Sequence, residues 1–208
     1  MLRKEQGMKI TKIQPAVKTA GRYNIFVDEK YSFSLDENQL LDLKLKAGFE
    51  ISDQLLDELK GESAYGKAYG RALELIVSRP RSEKEMRDYA MRKKWDEELS
   101  DRVLGRLRDK GYLDDEKFAQ FWLRARTVGK PRSKRKISAE LVQKGVKRDI
   151  IDQVLTNYDD DQEIEALRKL VAKKKNKYSD QQKFMSYLAS QGFRFDAIRR
   201  VLSDENTD

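Results

Sequence analysis

The sequence contains no cysteine and no histidine among its 208 residues. The first absence removes disulfides, thiolate nucleophiles and cysteine metal sites. The second removes the commonest general base and the commonest metal ligand. Proline occurs at only three positions, so long helices meet few obstacles. No apolar run approaches the roughly 20 residues needed to cross a bilayer. The opening MLRKEQGMKI lacks the apolar core of a secretory signal. The eleven glycines form neither a GxxxxGKS/T nor a GxGxxG pattern, so no phosphate-cradling loop is expected. Apolar residues are thin as well. With 38% hydrophobic and 38% charged residues, the chain suits amphipathic elements better than one thick globule. Together these absences exclude several enzyme classes and point to a protein that is not an enzyme and uses no cofactor or metal.

What the chain has is charge, and its distribution says more than its sum. Residues 1–60 carry 10 basic and 10 acidic groups, and residues 158–208 again carry 10 and 10. The middle, 61–157, carries 24 against 16, so all of the net +8 lies there. Within it, 117–139 holds eight bases and no acid, among them Arg124, Arg126, Lys130, Arg132, Lys134, Arg135 and Lys136. Such a one-signed cluster is the footprint of a polyanion binder, to be weighed against a merely solvated basic face.

The first fifty residues read as a small β-rich head. Tyr23–Val27 and Tyr31–Leu35 alternate apolar with mostly polar residues, which fits two half-buried strands joined by a short Asp28-Glu29-Lys30 link. Lys9–Ile13 supplies a third strand. Asp36 with Gln39 reads as a capping box for one helix that Gly48 should stop.

From Ser52 onward the period is helical. Pro80 and Pro131 each precede a serine placed to cap a helix, Ser82 and Ser133. Sliding the sequence by 51 residues sets Met86, Ala90, Trp95, Leu99, Val103 and Leu104 over Ile137, Leu141, Val146, Ile150, Val154 and Leu155. A further 47 reaches Phe184, Leu188, Phe193, Ala197, Val201 and Leu202. The cap column reads Ser82, Ser133, Asp180 and the breaker column Lys94, Gly145, Gly192. Three copies of a three-helix unit follow, the first with helices near 65–78, 82–93 and 97–110. Units this small must share a core with their neighbours. The expected fold is therefore mainly α: tandem three-helix repeats in an elongated curved array, behind a small N-terminal β-hairpin and helix. Boundaries are expected at 1–60, 61–112, 113–158 and 159–208.

Carboxylate-only metal chemistry has two candidate stretches, Asp114-Asp115-Glu116 and Asp159-Asp160-Asp161. Both abut expected helix starts, where acids meet the positive end of the dipole, so capping explains them better than a nuclease centre does. Phe118, Phe121 and Trp122 form a stripe at helical spacing that core packing explains better than base stacking does. The bases after it lie on a loop and helix start that the pattern leaves exposed, with Arg124 and Arg126 near one side of the preceding helix. Bases at a helix N-terminus oppose its dipole, a cost that an external anion or a partner's acids would offset.

An ordered set of motifs now stands out: Arg79-Pro80-Arg81-Ser82 before a helix, Gly111-Tyr112-Leu113-Asp114-Asp115 leading into Phe118-Ala119, then Trp122, then Lys144-Gly145-Val146. In this order and spacing, over about 65–205, the chain resembles the RecX family of recombinase regulators. The resemblance implies a monomeric bacterial cytoplasmic protein of tandem three-helix units that binds the RecA recombinase and its filament on single-stranded DNA. It implies suppression of ATP hydrolysis, strand exchange and coprotease activity, with some direct DNA binding, and it brings no catalytic residues. One departure is Lys147, which stands where Asp96 can cap the third helix of the first copy. The alternative reading is a helical-repeat protein that binds nucleic acid without sequence preference and regulates no recombinase.

Overall fold

The computed structural model describes residues 7–17, 19–129 and 131–204. Its head is a four-stranded antiparallel sheet in the order β3-β2-β1-β4, built from β1 (Met8–Pro15), β2 (Arg22–Val27), β3 (Lys30–Asp36) and β4 (Glu50–Ile51). The two central turn residues, Asp28 and Glu29, both have positive φ, 47° and 64°. That is the geometry of a type I′ hairpin turn, usually supplied by Asn-Gly. Here β1 enforces it: the Asp28 carboxylate accepts from the Lys9 amide at 3.0 Å, and Thr11 Oγ1 accepts from the Glu29 amide at 3.0 Å. Ile10, Ile25, Val27, Phe33, Leu35 and Ile51 form the buried face and pack with Leu59.

The helix α1 (Glu37–Asp42) begins with the expected capping box of Asp36 and Gln39. It ends before Gly48, because Lys44 turns left-handed (φ 50°). The segment after it is recruited as an edge: Gly48 donates to the Ile10 carbonyl at 2.8 Å and Ile10 donates back to Phe49 at 2.9 Å. Those bonds lead into β4, which is too short to show alternation in sequence.

The helices that follow are α2 (Asp53–Ser78), α3 (Glu83–Arg92), α4 (Glu97–Asp109), α5 (Asp115–Arg124), α6 (Lys134–Gln143), α7 (Arg148–Thr156), α8 (Asp160–Lys174), α9 (Gln181–Ser190) and α10 (Phe195–Asp204). A wide π turn, Ala125–Gly129, extends α5. The helix expected at 65–78 is only the second half of α2, which starts at the Ser52 cap and runs through Gly61, Gly66 and Gly70. The chain forms two compact units, Met1–Leu75 with Asp96–Gly105 and Ile76–Trp95 with Arg106–Asp208. The second holds repeats two and three entire, on one core that includes Phe118, Ile137, Leu141, Ile151, Leu167, Leu188 and Ile198.

The repeat columns are visible in the structure. Met86, Ala90, Ile137, Leu141, Phe184 and Leu188 are all buried in corresponding places, as are Val103, Val154 and Val201. Ser82, Ser133 and Asp180 each accept a first-turn amide of their own helix. Lys94, Gly145 and Gly192 each take positive φ, at 56°, 80° and 93°.

Each serine also reaches the following repeat. Ser82 Oγ donates to the Lys144 carbonyl at 2.7 Å, and Ser133 Oγ donates to the Gln191 carbonyl at 3.2 Å. Both serines are fully buried. The same joints pair the Glu83 amide with Asp115 at 2.8 Å and the Lys134 amide with Glu163 at 2.9 Å. Gly145 and Gly192 sit under these joints. A Cβ on Gly145 would lie 2.6 Å from Cβ of Lys84, so this position needs glycine for both space and φ.

Candidate partner and nucleic-acid interface

The basic cluster spans α5, the π turn and the start of α6. Asp114 caps α5 by accepting from the amides of Glu116 and Lys117, which sets the helix phase. Phe118 is then buried and Trp122 half-buried, with ring centres 5.7 Å apart, so these two rings pack on the core as the spacing suggests, whereas Phe121 is 39% exposed and stands outside it.

The π turn separates two arginines that the sequence sets on one side. Arg124 is exposed and lines an open groove of about 750 Å3 with Glu116, Gln120 and Tyr158. Arg126 folds over the Trp122 indole, its guanidinium 4.2 Å from the ring centre, and donates from Nε to Glu140 Oε2 at 2.6 Å. Trp122 Nε1 donates to the same oxygen at 2.8 Å. Arg132 Nε stands 3.8 Å from Glu140 Oε1, close enough for attraction but too long for a hydrogen bond. It is buried without another partner among the described residues.

Two expectations therefore change. Arg124 and Arg126 face different surroundings, and Arg132 is not an exposed loop cation, with its side chain only 25% accessible. Glu140, the acid that ends the acid-free run, takes up both Arg126 and Arg132.

The same surface continues into the first repeat. Lys144 Nζ lies 5.1 Å from the Trp122 ring centre and 2.6 Å from Glu85 Oε1. Arg79 grips Glu85 with both terminal nitrogens, at 3.0 and 3.1 Å. Burial pushes the Glu85 carboxyl up, but the hydrogen bonds from Arg79 and Lys144 outweigh it and hold its pKa at about 2.

The first turn of α6 contains no acid, yet the expected dipole cost is met from inside the molecule. Glu163, at the start of α8, accepts the Lys134 amide, and Ser133 accepts that of Lys136. An outside anion is not needed to hold this helix start. What remains open are Arg124, Arg135 and Lys136, all exposed, and the half-buried Lys134. None of the four has a carboxylate within 4.0 Å among the described residues. Lys130 lies outside the described residues.

The third repeat adds what sequence reading missed. Arg194 and Arg199 border a hollow that Lys134 and Arg135 also line. They lie some 60 residues from the cluster in sequence, and the balanced charge of 158–208 conceals them.

The acidic stretches act as caps. Asp114 and Asp159 accept first-turn amides, Asp159 in a capping box with Gln162. Asp115 accepts the Glu83 amide, and burial raises its carboxyl above the usual range against that bond. Among the described residues no group of three or more acids is arranged to hold a metal ion, and no helix is long and apolar enough to cross a membrane. Lys147 starts α7 without a side-chain cap, whereas Asp96 accepts the Leu99 amide in α4.

Four sequence models match in order along the chain: the RecX regulatory protein N-terminal domain over 8–52, and the first, second and third three-helix domains of RecX over 68–107, 114–155 and 160–202. The chain belongs to the RecX family. Regulatory protein RecX of Listeria innocua is 35% identical over 207 residues, which cover 97% of this chain and 77% of that one. That of Oceanobacillus iheyensis is 31% identical, covering 96% and 77%. A crystal structure of regulatory protein RecX superposes with a TM-score of 0.71 at 26% identity, over 94% of this chain and 99% of that one. RecX from Lactobacillus salivarius shares the fold, with a TM-score of 0.58 over 70% and 98%. The RecX family is one of regulatory proteins, not of enzymes. Its three-helix domains fall on α2–α4, α5–α7 and α8–α10, and the shared cap and breaker columns lie inside them.

Proposed function

We propose that this chain regulates the RecA recombinase, mainly as an inhibitor. It binds RecA and the RecA filament on single-stranded DNA, and so modulates ATP hydrolysis, strand exchange and coprotease activity in DNA repair and the SOS response. One observation carries the reading: four RecX domain models match in consecutive order over residues 8–202. The open cations Arg124, Lys134, Arg135 and Lys136 are the surface that meets the DNA-loaded filament, and Lys130, between them in sequence, belongs to the same set. Arg126 and Arg132 hold the shape of that surface through Glu140. The protein works as a cytoplasmic monomer with no catalytic chemistry of its own. Its working parts are 1–60, 61–112, 113–158 and 159–208.

Recombinase ATPase on single-stranded DNA, titrated with this protein, is the direct test. A dose-dependent fall supports the reading, and an unchanged rate at saturating protein removes it. The second reading, nucleic-acid binding without sequence preference, is favoured by the free cations alone. Capture of recombinase in the absence of DNA separates the two, since the second predicts none.

A further inference from the structure

We infer that Phe195 is a stacking platform for a base of single-stranded nucleic acid, at the mouth of a basic hollow between the second and third repeats. The site deepens the proposed DNA contact and rests on it only for the identity of the polyanion. The hollow measures about 1090 Å3, just above the roughly 300–1,000 Å3 of small-molecule pockets. Phe195 is 55% exposed on its rim. It is the first residue of α10, and the corresponding first residues of α4 and α7 are Glu97 and Arg148. Two repeats thus place a charged, water-seeking side chain where the third places an aromatic ring. The core gains nothing from that ring, because Phe193, two residues earlier, is the buried one.

Charge in the hollow supports the choice of ligand. Its acids are already engaged: Glu163 accepts the Lys134 amide at 2.9 Å, Asp196 pairs with Arg194 at 3.1 Å, and Asp152 faces Arg148 at 3.9 Å. The ammonium of Lys134 and the guanidinium groups of Arg135 and Arg199 have no carboxylate within 4.0 Å among the described residues. Free cations around one exposed ring are the combination that binds single strands: cations follow phosphates, and the ring accepts any base. An acidic peptide would use the cations and leave the ring idle. The three cations come from α6 and α10, so the site exists only once the two repeats have packed.

The test uses the full chain and a labelled oligothymidylate of about 15 nucleotides, within the span of single-strand sites. An abasic oligomer of equal length is the control. Phe195→Leu should weaken thymidylate binding about tenfold, the scale of one lost stack. It should leave abasic binding and the salt dependence as they were. Arg199→Glu should weaken both ligands and make the log–log salt slope shallower by about 0.7. Phe195 is exposed, so the Leu variant should melt as wild type does, and a thermal melt checks that its fold is intact. Thymidylate binding equal to wild type in Phe195→Leu overturns the proposal, as does equal loss on both ligands. So does a wild type that binds neither, or a Leu variant that loses only recombinase capture without DNA. If the recombinase ATPase is unaffected by wild type while the thymidylate signature holds, the regulatory reading fails and this site stands.

Discussion

Lowering the pH should unlock the Arg79–Glu85–Lys144 cluster, and Glu85→Gln should remove that sensitivity. The Glu85 side chain is 16% accessible and receives three hydrogen bonds from cations, two from Arg79 and one from Lys144 at 2.6 Å. Its carboxyl falls from an ordinary 4.5 to about 2 in the folded protein. At about 1.4 kcal/mol per pH unit, that shift corresponds to about 3 kcal/mol. Arg79 is 37% accessible, so solvent screening brings the figure closer to 2 kcal/mol. The folded pKa is depressed, so this stability is fully present above pH 4.5 and is lost as the pH falls from there towards 2. Other carboxylates titrate in the same window, so the informative quantity is the difference between wild type and Glu85→Gln. Urea denaturation at neutral pH should place the variant about 2 kcal/mol below wild type, or about 4–8 °C lower in melting temperature for a chain of this size. Near pH 2–3 the two curves should converge. A variant within about 0.5 kcal/mol of wild type at neutral pH, the range of ordinary surface changes, would refute the cluster's role in joining the first two repeats. A gap that stays constant down to pH 2 would refute the titration argument alone.

Three further expectations follow from the same geometry. Reversing Lys134, Arg135 and Lys136 to Glu should leave the melt unchanged or slightly raised, since acids suit a helix start; binding to single-stranded DNA should fall, with a log–log salt slope shallower by about two units, at about 0.7 per phosphate contact. Lys94→Gly should stabilise the protein by about 0.5–1 kcal/mol in urea titration, because Lys94 holds φ at 56° where the other repeats use glycine. Phe193→Ala and Leu155→Ala should each cost about 2–5 kcal/mol as buried members of the repeat columns, whereas Trp95→Ala should fall at or below the low end, since the ring is only half-buried and rests edge-on against Tyr89 at 5.5 Å.

Periodic features were legible in the sequence because three copies report each of them. The cap column Ser82, Ser133, Asp180 is visible for that reason, as is the breaker column with its positive φ. The RecX motifs then resolve into parts of these devices. Ser82 is the cap that crosses to the next repeat, and Gly145 is the glycine that leaves room for Lys84 at that joint. Single events were not legible. Whether Arg132 is an exposed cation or a shielded one depends on Glu140, a turn and a half into the next helix, and on a π turn that no residue pattern announces. The same holds for Glu163, whose pairing with the Lys134 amide crosses between repeats. The end of α1 was not legible either: the helix stops at the left-handed Lys44, and Gly48, the stop that the sequence offers, bonds instead to Ile10 of β1. Phe195 did carry a sequence signal, an aromatic in a column of charges, and it gained meaning only with its exposure.

The serine joints also have a direction in time. On a ribosome the cap that Ser82 gives its own helix can close as soon as Glu85 supplies its amide, but the hydroxyl proton of Ser82 must wait for the carbonyl of Lys144, 62 residues later. At about 5–20 residues per second, the hydroxyl stays unanswered for about 3–12 s after Ser82 itself is made. Ser133 waits in the same way for Gln191, 58 residues on. A nascent chain is thus always one repeat short of closure, with its newest joint wet and its older ones sealed. A fragment ending at residue 143 should accordingly be cut by protease within α3 well before the full chain is, whereas equal cleavage rates would show that the joint adds nothing to the repeat that precedes it.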